Sequence, residues 1–352
     1  MTATGSSLRR FGVPGVRDEA SAFDRVAAVA EQLAVLLAAG VAAPAAWRHL
    51  GEGEDAPTPV RAAAAAAAAG DPVGEAIAAA VLDEEAAARV RRRRVPLPTP
   101  SALRDRAAGS GRGPSARDAT AWRSLAAAWT VAAESGAPLA GSLRDLAEAM
   151  RDEAQTHRDA TAALAGPRAS AKLVTLLPVI AVGFGMLLGF DTASVLLGNP
   201  IGIACLVVGL GLLRAGAAWN RALLRRAVPD RVAPGLACDL LAIAMSGGAS
   251  LERGRAIARD ALERHLPGAH DADEVDAVVR LAAGAGAPIG DLLRAEARRR
   301  RREARTEGAV RAAALAVRLM LPLGACVLPA FALLGVAPLL ISVVLGTLRG
   351  AV

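Results

Sequence analysis

The chain of 352 residues carries a formal net charge of +7, and 53% of its residues are hydrophobic. Only 3% of the residues are aromatic and tyrosine is absent, which disfavours a stacking platform for nucleic-acid bases or sugars. The positive charge suits an anionic membrane face, an acidic partner or nucleic acid. Three widely separated cysteines, Cys205, Cys238 and Cys326, match neither a disulfide framework nor a metal-binding motif.

The N-terminal half is predicted to be helical. Residues 1–20 have no apolar core of the kind found in secretory signals and are predicted to be a disordered tail. Val26, Val29 and Leu33 then recur at helical spacing and begin a first helical unit at 21–168. Within this unit, residues 83–119 are rich in Arg, Pro and Gly and are predicted to form a solvated, mobile insertion.

Three uncharged stretches are long enough to enter a bilayer, at 173–190, 192–213 and 319–348. The first two predict a transmembrane hairpin at 172–216, and the third predicts a C-terminal transmembrane region at 316–348. Prolines in the third stretch leave three or four spans open, and we predict about three. Arginines flank the hairpin on its polar sides, so both large polar regions are predicted to be cytoplasmic.

A second helical unit is predicted at 230–311, because part of the first unit is repeated there. Gly136-Ala-Pro-Leu recurs as Gly286-Ala-Pro-Ile at an offset of 150, and the glycine after the first helix, Gly40, is matched to Gly247 at an offset of 207. No stretch alternates with the period of two that strands require. The fold class is therefore predicted to be all-α, a polytopic membrane protein with two cytoplasmic helical bundles.

An arginine cluster in the second unit is the main candidate contact site. It is predicted to bind anionic lipid or an acidic partner, although a merely solvated helix surface is an equally acceptable interpretation. Nucleic-acid binding is disfavoured because no aromatic residue interleaves the basic ones. Glu134, before the first Gly-Ala-Pro turn, is a second candidate, with capping or a salt bridge as the simpler role. The candidate arginines are Arg294, Arg298, Arg299, Arg300, Arg301 and Arg302.

Catalytic motifs are not found in the sequence. A P-loop needs a lysine after its glycines, and the sole lysine, Lys172, follows Ala171 and precedes Leu173. The four histidines lie in no metal-ligand spacing. The uncharged stretches contain no Asp, Glu, Lys, Arg or His that could serve a proton or ion relay. We therefore predict a protein that is not an enzyme and that binds neither a cofactor nor a metal.

Two parts of the sequence resemble a known family. Residues 122–154 (WRSLAAAWTVAAESGAPLAGSLRDLAEAMRDEA), followed by 163–178 (ALAGPRASAKLVTLLP), resemble TadB-like members of the type II secretion system F family. Residues 321–340 (LPLGACVLPAFALLGVAPLL) resemble the C-terminal tail of TadC-like members. Such proteins are usually separate chains with one F-type unit each, so this chain resembles a fusion of the two.

The resemblance implies a multi-pass platform protein in the inner (cytoplasmic) membrane of a Tad (Flp) pilus, type IV pilus or type II secretion machine. Platforms of this kind form homo-oligomers, contact a secretion ATPase on the cytoplasmic side and act on pilin subunits. Two other classes remain open from the residues alone. One is a membrane permease or transporter subunit, and the other is a membrane-tethered regulator that binds nucleic acid through its arginines.

Overall fold

The computed structural model describes residues 17–93, 116–187, 200–226, 233–267, 272–338 and 340. The described residues are almost entirely helical and include no strand, so the predicted all-α class is confirmed for them. They divide into two compact units. Unit 1 comprises Met1–Arg158 and Arg231–Thr306, and unit 2 comprises Asp159–Asp230 and Glu307–Val352.

Unit 1 contains helices from both predicted bundles. The first half contributes α1 (Arg17–Ala38), α2 (Ala43–Gly51), α3 (Thr58–Ala69), α4 (Val73–Arg93), α5 (Ala116–Ser135) and the beginning of α6 (Leu139–Leu187). The second half contributes α8 (Leu236–Ser246), α9 (Leu251–His265), α10 (Ala272–Ala285) and the beginning of α11 (Ile289–Arg318).

The two halves of unit 1 share one hydrophobic core. Helix α5 lies at its centre and packs against α1, α4, α8 and α9. Its side chains between Ala119 and Ala132 are mostly buried, and Trp129 meets Trp47 of α2 edge to face at 5.2 Å between ring centroids. The two predicted bundles are therefore joined in one compact unit, because helices of the second half cover a helix of the first.

The duplicated turns have the same backbone geometry in both halves. Gly136, between α5 and α6, has φ +70°, and Gly286, between α10 and α11, has φ +63°, so the offset of 150 holds in the structure. The turn after α1 contains Gly40 at φ +83°, and its counterpart after α8 is Gly248 at φ +80°. The offset for these helix pairs is therefore 208, and the predicted match of Gly40 to Gly247 was wrong by one residue. Left-handed backbone at the end of a helix strongly favours glycine.

Two predicted boundaries in the first half need correction. Helix α4 continues to Arg93 and α5 begins at Ala116, so the predicted insertion at 83–119 is helical at both ends. Arg123 of α5 donates to Glu85 of α4 at 3.0 Å, which holds the C-terminal half of α4 against the core. Residues 94–115 lie outside the described part. Residues 17–20 of the predicted N-terminal tail belong to α1, which begins at Arg17, and residues 1–16 lie outside the described part.

Unit 2 contains the end of α6, helix α7 (Pro200–Arg226) and the helical continuation of α11. That continuation contains two π-helical stretches, Leu323–Val327 and Ala332–Val336. Gly209 of α7 leaves room for Leu334, and Gly216 leaves room for Cys326. Glycines seven residues apart lie on one face of a helix, so this face of α7 admits the neighbouring helix closely.

Among the described residues, two helices are long and apolar enough to cross a bilayer, judged by length and composition. They are Pro200–Asn220 and the helix Ile289–Val336, and only 17% of the apolar window of the first is buried within the protein. Ile201, Val207 and Leu328 are among the large apolar side chains that remain exposed. The predicted first span lies on α6, which is described to Leu187, and the predicted turn near Asp191 lies outside the described residues.

Candidate functional site

The arginine cluster lies on α11, which follows the second duplicated turn. Pro288 precedes the helix, and Asp291 lies in its first turn, where an acidic side chain interacts favourably with the helix dipole. Ala, Leu, Arg and Glu are strong helix formers and dominate the sequence that follows. The predicted contact arginines consequently point around the helix in several directions, and the structure places them in three different environments.

Arg301 is buried in an ion pair. Its Nη1 donates to Oδ2 of Asp239 on α8 at 2.5 Å, and the two side chains are only 12% and 15% exposed. Asp152 of α6 lies 3.9 Å from the Nε atom, which has no hydrogen-bond partner. Burial raises the pKa of Asp239 to about 6, against the opposing effect of Arg301. Arg301 therefore joins helices inside unit 1 and is not available to a surface partner.

Arg294 forms a second link between the halves. Its Nε donates to Oδ2 of Asp145 on α6 at 3.0 Å, and its Nη1 lies 3.7 Å from Asp291. A cavity of about 10 Å³ lies beside Arg294, and one of about 30 Å³ lies beside Arg301. Spaces of this size hold at most single water molecules. The region is consequently a packed junction of helices and not a small-molecule pocket.

The remaining arginines of the cluster are neutralised or exposed. Arg299 pairs with Glu296 and Glu303, and Arg300 donates to Glu296 at 2.8 Å. These bonds lower the pKa of Glu296, chiefly through Arg299. Arg298 and Arg302 are exposed and lie four residues apart, on one face of α11. Arg299 is exposed as well but is engaged by two glutamates, whereas Arg298 and Arg302 present their charge to solvent.

Glu134 lies elsewhere, at the contact between α5 and α9. It accepts a hydrogen bond from Nη2 of Arg264 at 2.9 Å, and Arg264 also contacts Asp260 and lies 3.8 Å from Glu75 of α4. The pKa of Arg264 is raised, chiefly by Glu134. Glu134 thus has the salt-bridge role that was the simpler alternative, since it links α5 to the second half of the chain.

A buried polar contact accompanies this salt bridge. Thr130 Oγ1 and His265 Nε2 lie 3.1 Å apart, and His265 Nδ1 is buried without a hydrogen-bond partner. Burial is the main cause that lowers the pKa of His265. A neutral imidazole suits this environment, because an additional buried charge would have no acceptor at Nδ1.

The Asp239–Arg301 pair has a duplicated counterpart that sequence inspection missed. Glu31 of α1 pairs with Arg151 of α6. These residues precede Asp239 and Arg301 by the same offsets, 208 and 150, that relate the duplicated turns. The sequence contains this correspondence, but it appears only when the offset of 208 is applied to Asp239 and the offset of 150 to Arg301. Each half therefore has an equivalent ion pair between its first helix and its long helix, and the pair in the second half is the more deeply buried. In the first half, Arg158 of α6 also pairs with Asp24 of α1.

Among the described residues, no group of three or more His, Cys, Asp or Glu side chains is placed to hold a metal ion. The geometry around α11 and α5 is one of helix-to-helix ion pairs surrounded by alanine-rich packing. Such an arrangement stabilises the packing of the helices in unit 1.

Part of the helical chain matches a known protein family. The family described as "Type II secretion system (T2SS), protein F" (T2SSF) matches residues 29–187. Those residues form a T2SSF domain. The domain begins within α1, ends with α6 and covers slightly less than half of the chain. T2SSF proteins are non-catalytic platform components of secretion and pilus machines and lie in the inner membrane.

No curated protein and no solved structure matches the chain. The T2SSF match includes Glu134, Asp145 and Arg151, but it ends before α8 and α11. The arginine cluster and Asp239 therefore belong to the part of the chain that the family match does not reach.

Proposed function

We propose that this chain is an inner-membrane platform protein of a Tad (Flp) pilus or type II secretion-like machine. In this role it couples a separate cytoplasmic secretion ATPase to the assembly or export of pilin subunits. The observation that carries the proposal is the T2SSF domain at 29–187, which lies in a chain with helices long and apolar enough to cross a bilayer. The sequence has no P-loop lysine, so ATP-driven work would require a partner.

Unit 1 is the proposed docking body for the ATPase. Its helices are held together by buried apolar contacts and by the ion pairs of Arg264, Arg294 and Arg301. Arg298 and Arg302 are exposed on α11 and present positive charge to an acidic surface. Helices α6 and α11 each begin in unit 1 and end in unit 2, so each connects the proposed docking body to the proposed membrane part.

We further propose that one polypeptide performs the role of a TadB-like and TadC-like pair. The duplicated helix pairs support this, because the turn between α10 and α11 has the backbone geometry of the turn between α5 and α6. The shared core supports it as well, since α8 and α9 bury against α5 in the same chain. Homo-oligomers of the fused chain would then replace a platform of two different chains.

Co-purification tests the ATPase contact. The full chain is expressed with the secretion ATPase of the same genome and isolated in detergent at a series of salt concentrations. The variant Arg298→Glu/Arg302→Glu is expected to retain less than a tenth of the ATPase bound by the unmodified chain, and the residual binding should depend less on salt.

The matched control is Arg253→Glu/Arg259→Glu, which makes the same charge change at exposed arginines of α9. This control should bind the ATPase as the unmodified chain does. Equal losses in the two variants would show a non-specific charge effect. An unmodified chain that never retains the ATPase would contradict the proposed function.

A further inference from the structure

An arginine lies inside the apolar span of α7. The helix is long and apolar enough to cross a bilayer from Pro200 to Asn220, and Arg214 is the only charged residue in that range. It lies 14 residues from Pro200 and six from Asn220, or about 21 Å and 9 Å along a helix that rises 1.5 Å per residue. A charged group at this depth is costly unless it has a partner, so an intramembrane arginine indicates a binding site.

Arg214 lies on a face of α7 that is exposed in the described structure. The neighbouring helix packs where Gly209 and Gly216 lie, about 150° around α7 from Arg214. On the side of Arg214, the large apolar side chains toward the beginning of α7 are exposed. These are Ile203, Val207 and Leu210. This face therefore meets the bilayer or another membrane protein.

The predicted spans of this chain supply no opposite charge to Arg214, and neither would those of a second copy. All the predicted spans lie within 160–229 and 308–352, and the only acidic residue in these ranges is Asp191. Asp191 belongs to the predicted turn before Pro200, which is the end of the span farther from Arg214. A carboxylate that pairs with Arg214 inside the membrane must therefore come from a different protein.

The lipid headgroups nearest to Arg214 are poorly placed to pair with it. In an α-helix every Cα–Cβ bond tilts toward the N-terminus, and Arg214 lies nearer to the C-terminal end of the span. Its side chain therefore leaves the backbone toward the bilayer centre, over Gly211. A Cβ at Gly211 would meet no atom within 4 Å, and Ala215 and Ala218 are small and exposed. Another spanning helix can thus approach α7 closely at this depth.

We propose that this face of α7 binds a transmembrane helix of another protein, and that an Asp or Glu in that helix pairs with Arg214. The matching carboxylate lies in the third of the partner's span that is next to the membrane surface at which α7 ends. Charge pairing at low dielectric strengthens the contact, and the small residues around Arg214 allow the two backbones to approach. The site extends the proposed function, on which it rests for the membrane crossing of α7.

Binding of synthetic membrane peptides to the full chain in phosphatidylcholine vesicles tests the site. The probe is a Leu/Ala helix of about 20 residues with lysines and a dansyl group at each end and with Glu at the sixth position from each end. Its twin carries Gln at both of these positions. Energy transfer from Trp219, which is exposed on α7 close to Arg214, reports binding. At pH 8 the Glu peptide is expected to reach half-maximal transfer at a peptide-to-lipid ratio at least fivefold lower than the Gln peptide.

Arg214→Gln is expected to abolish this preference, whereas Arg214→Lys should retain it because the charge is kept. The matched control is Arg318→Gln, which makes the same change at an exposed arginine of α11 and should preserve the preference. All three variants replace exposed side chains, so their helical circular dichroism spectra should match that of the unmodified chain. Equal half-maximal ratios for the two peptides, the result expected if lipid phosphate were the partner, would overturn the proposal. A preference that persists in Arg214→Gln would overturn it as well.

Failure of this site and failure of the proposed function give different results. A chain that recruits the secretion ATPase but binds both peptides equally would overturn the site alone. A chain that prefers the Glu peptide but never retains the ATPase would contradict the proposed function and leave the site in place.

Discussion

Loss of Arg301 should be far more damaging than loss of its duplicated counterpart Arg151. Arg301→Met leaves the carboxylate of Asp239 buried without its cation, because both side chains of this pair are at most 15% exposed. Removing one member of a buried pair costs about 3–5 kcal/mol. The side chains of Arg151 and Glu31 are 47% and 50% exposed, so Arg151→Met should cost about 1 kcal/mol or less.

Protonation of Asp239 gives the same comparison a pH dependence. Its pKa in the folded protein is about 6, above the ordinary value of 3.8, so the folded state holds this proton more tightly than the unfolded state. The stabilising contribution of the protonated group is fully present below pH 3.8 and is lost as the pH rises to about 6. At 1.36 kcal/mol per pKa unit it amounts to roughly 3 kcal/mol. The deficit of Arg301→Met should therefore shrink as the pH is lowered from 7 to 5.

Tryptophan fluorescence during urea unfolding of the full chain in detergent measures both effects. Trp47, Trp122 and Trp129 are buried in the unit 1 core and report on its unfolding. The double variant Arg301→Met/Asp239→Leu should recover most of the loss, since a buried ion pair can be replaced by apolar side chains. Equal losses for Arg301→Met and Arg151→Met, or a double variant as unstable as Arg301→Met alone, would refute this reasoning.

Three further predictions follow from close contacts and from burial. Gly247→Ala forces a Cβ against the Ser135 carbonyl and should lower the free energy of unfolding by about 1–3 kcal/mol. The control Gly284→Ala places a Cβ where no atom lies within 4 Å and should cost nothing. Equal effects of the two variants in urea unfolding would contradict this prediction. The pKa of His265 is lowered in the folded protein, so its stabilising contribution is present above pH 6.5 and is lost as the pH falls through the folded pKa. The difference in unfolding free energy between the unmodified chain and His265→Asn should therefore change between pH 7.5 and pH 5.5. A constant difference over this range would refute the prediction. Gly209→Val, on the face of α7 that meets Leu334, should lower the melting temperature in detergent, while Gly211→Val on open surface should not; matching melting curves for the two variants would contradict the packing in unit 2.

The sequence predicted the elements whose signal is local. The Gly-Ala-Pro turns gave the ends of α5 and α10, because left-handed glycine and the following proline end one helix and begin the next. The uncharged stretch at 192–213 predicted the first half of α7. Helix boundaries were less accurate at 83–119, where charged and alanine-rich sequence continues α4 as far as Arg93.

The shared core could not be predicted in the same way. Helix α5 is covered from several sides by α1, α4, α8 and α9, and its small alanines leave no apolar stripe that would reveal a single packing face. The ion-pair partners of the arginines could not be predicted for a similar reason. Five consecutive arginines necessarily point around the whole helix, so only the positions of Asp239, Asp145 and Glu296 show that Arg301, Arg294 and Arg299 are engaged within the chain.

Recruitment of a secretion ATPase to inverted inner-membrane vesicles, whose cytoplasmic face points outward, tests the platform assignment most directly. Vesicles that contain the full chain should carry the purified ATPase with them in a flotation gradient, saturably and with loss of binding in Arg298→Glu/Arg302→Glu. Vesicles that contain the chain but float no more ATPase than vesicles without it would contradict the assignment.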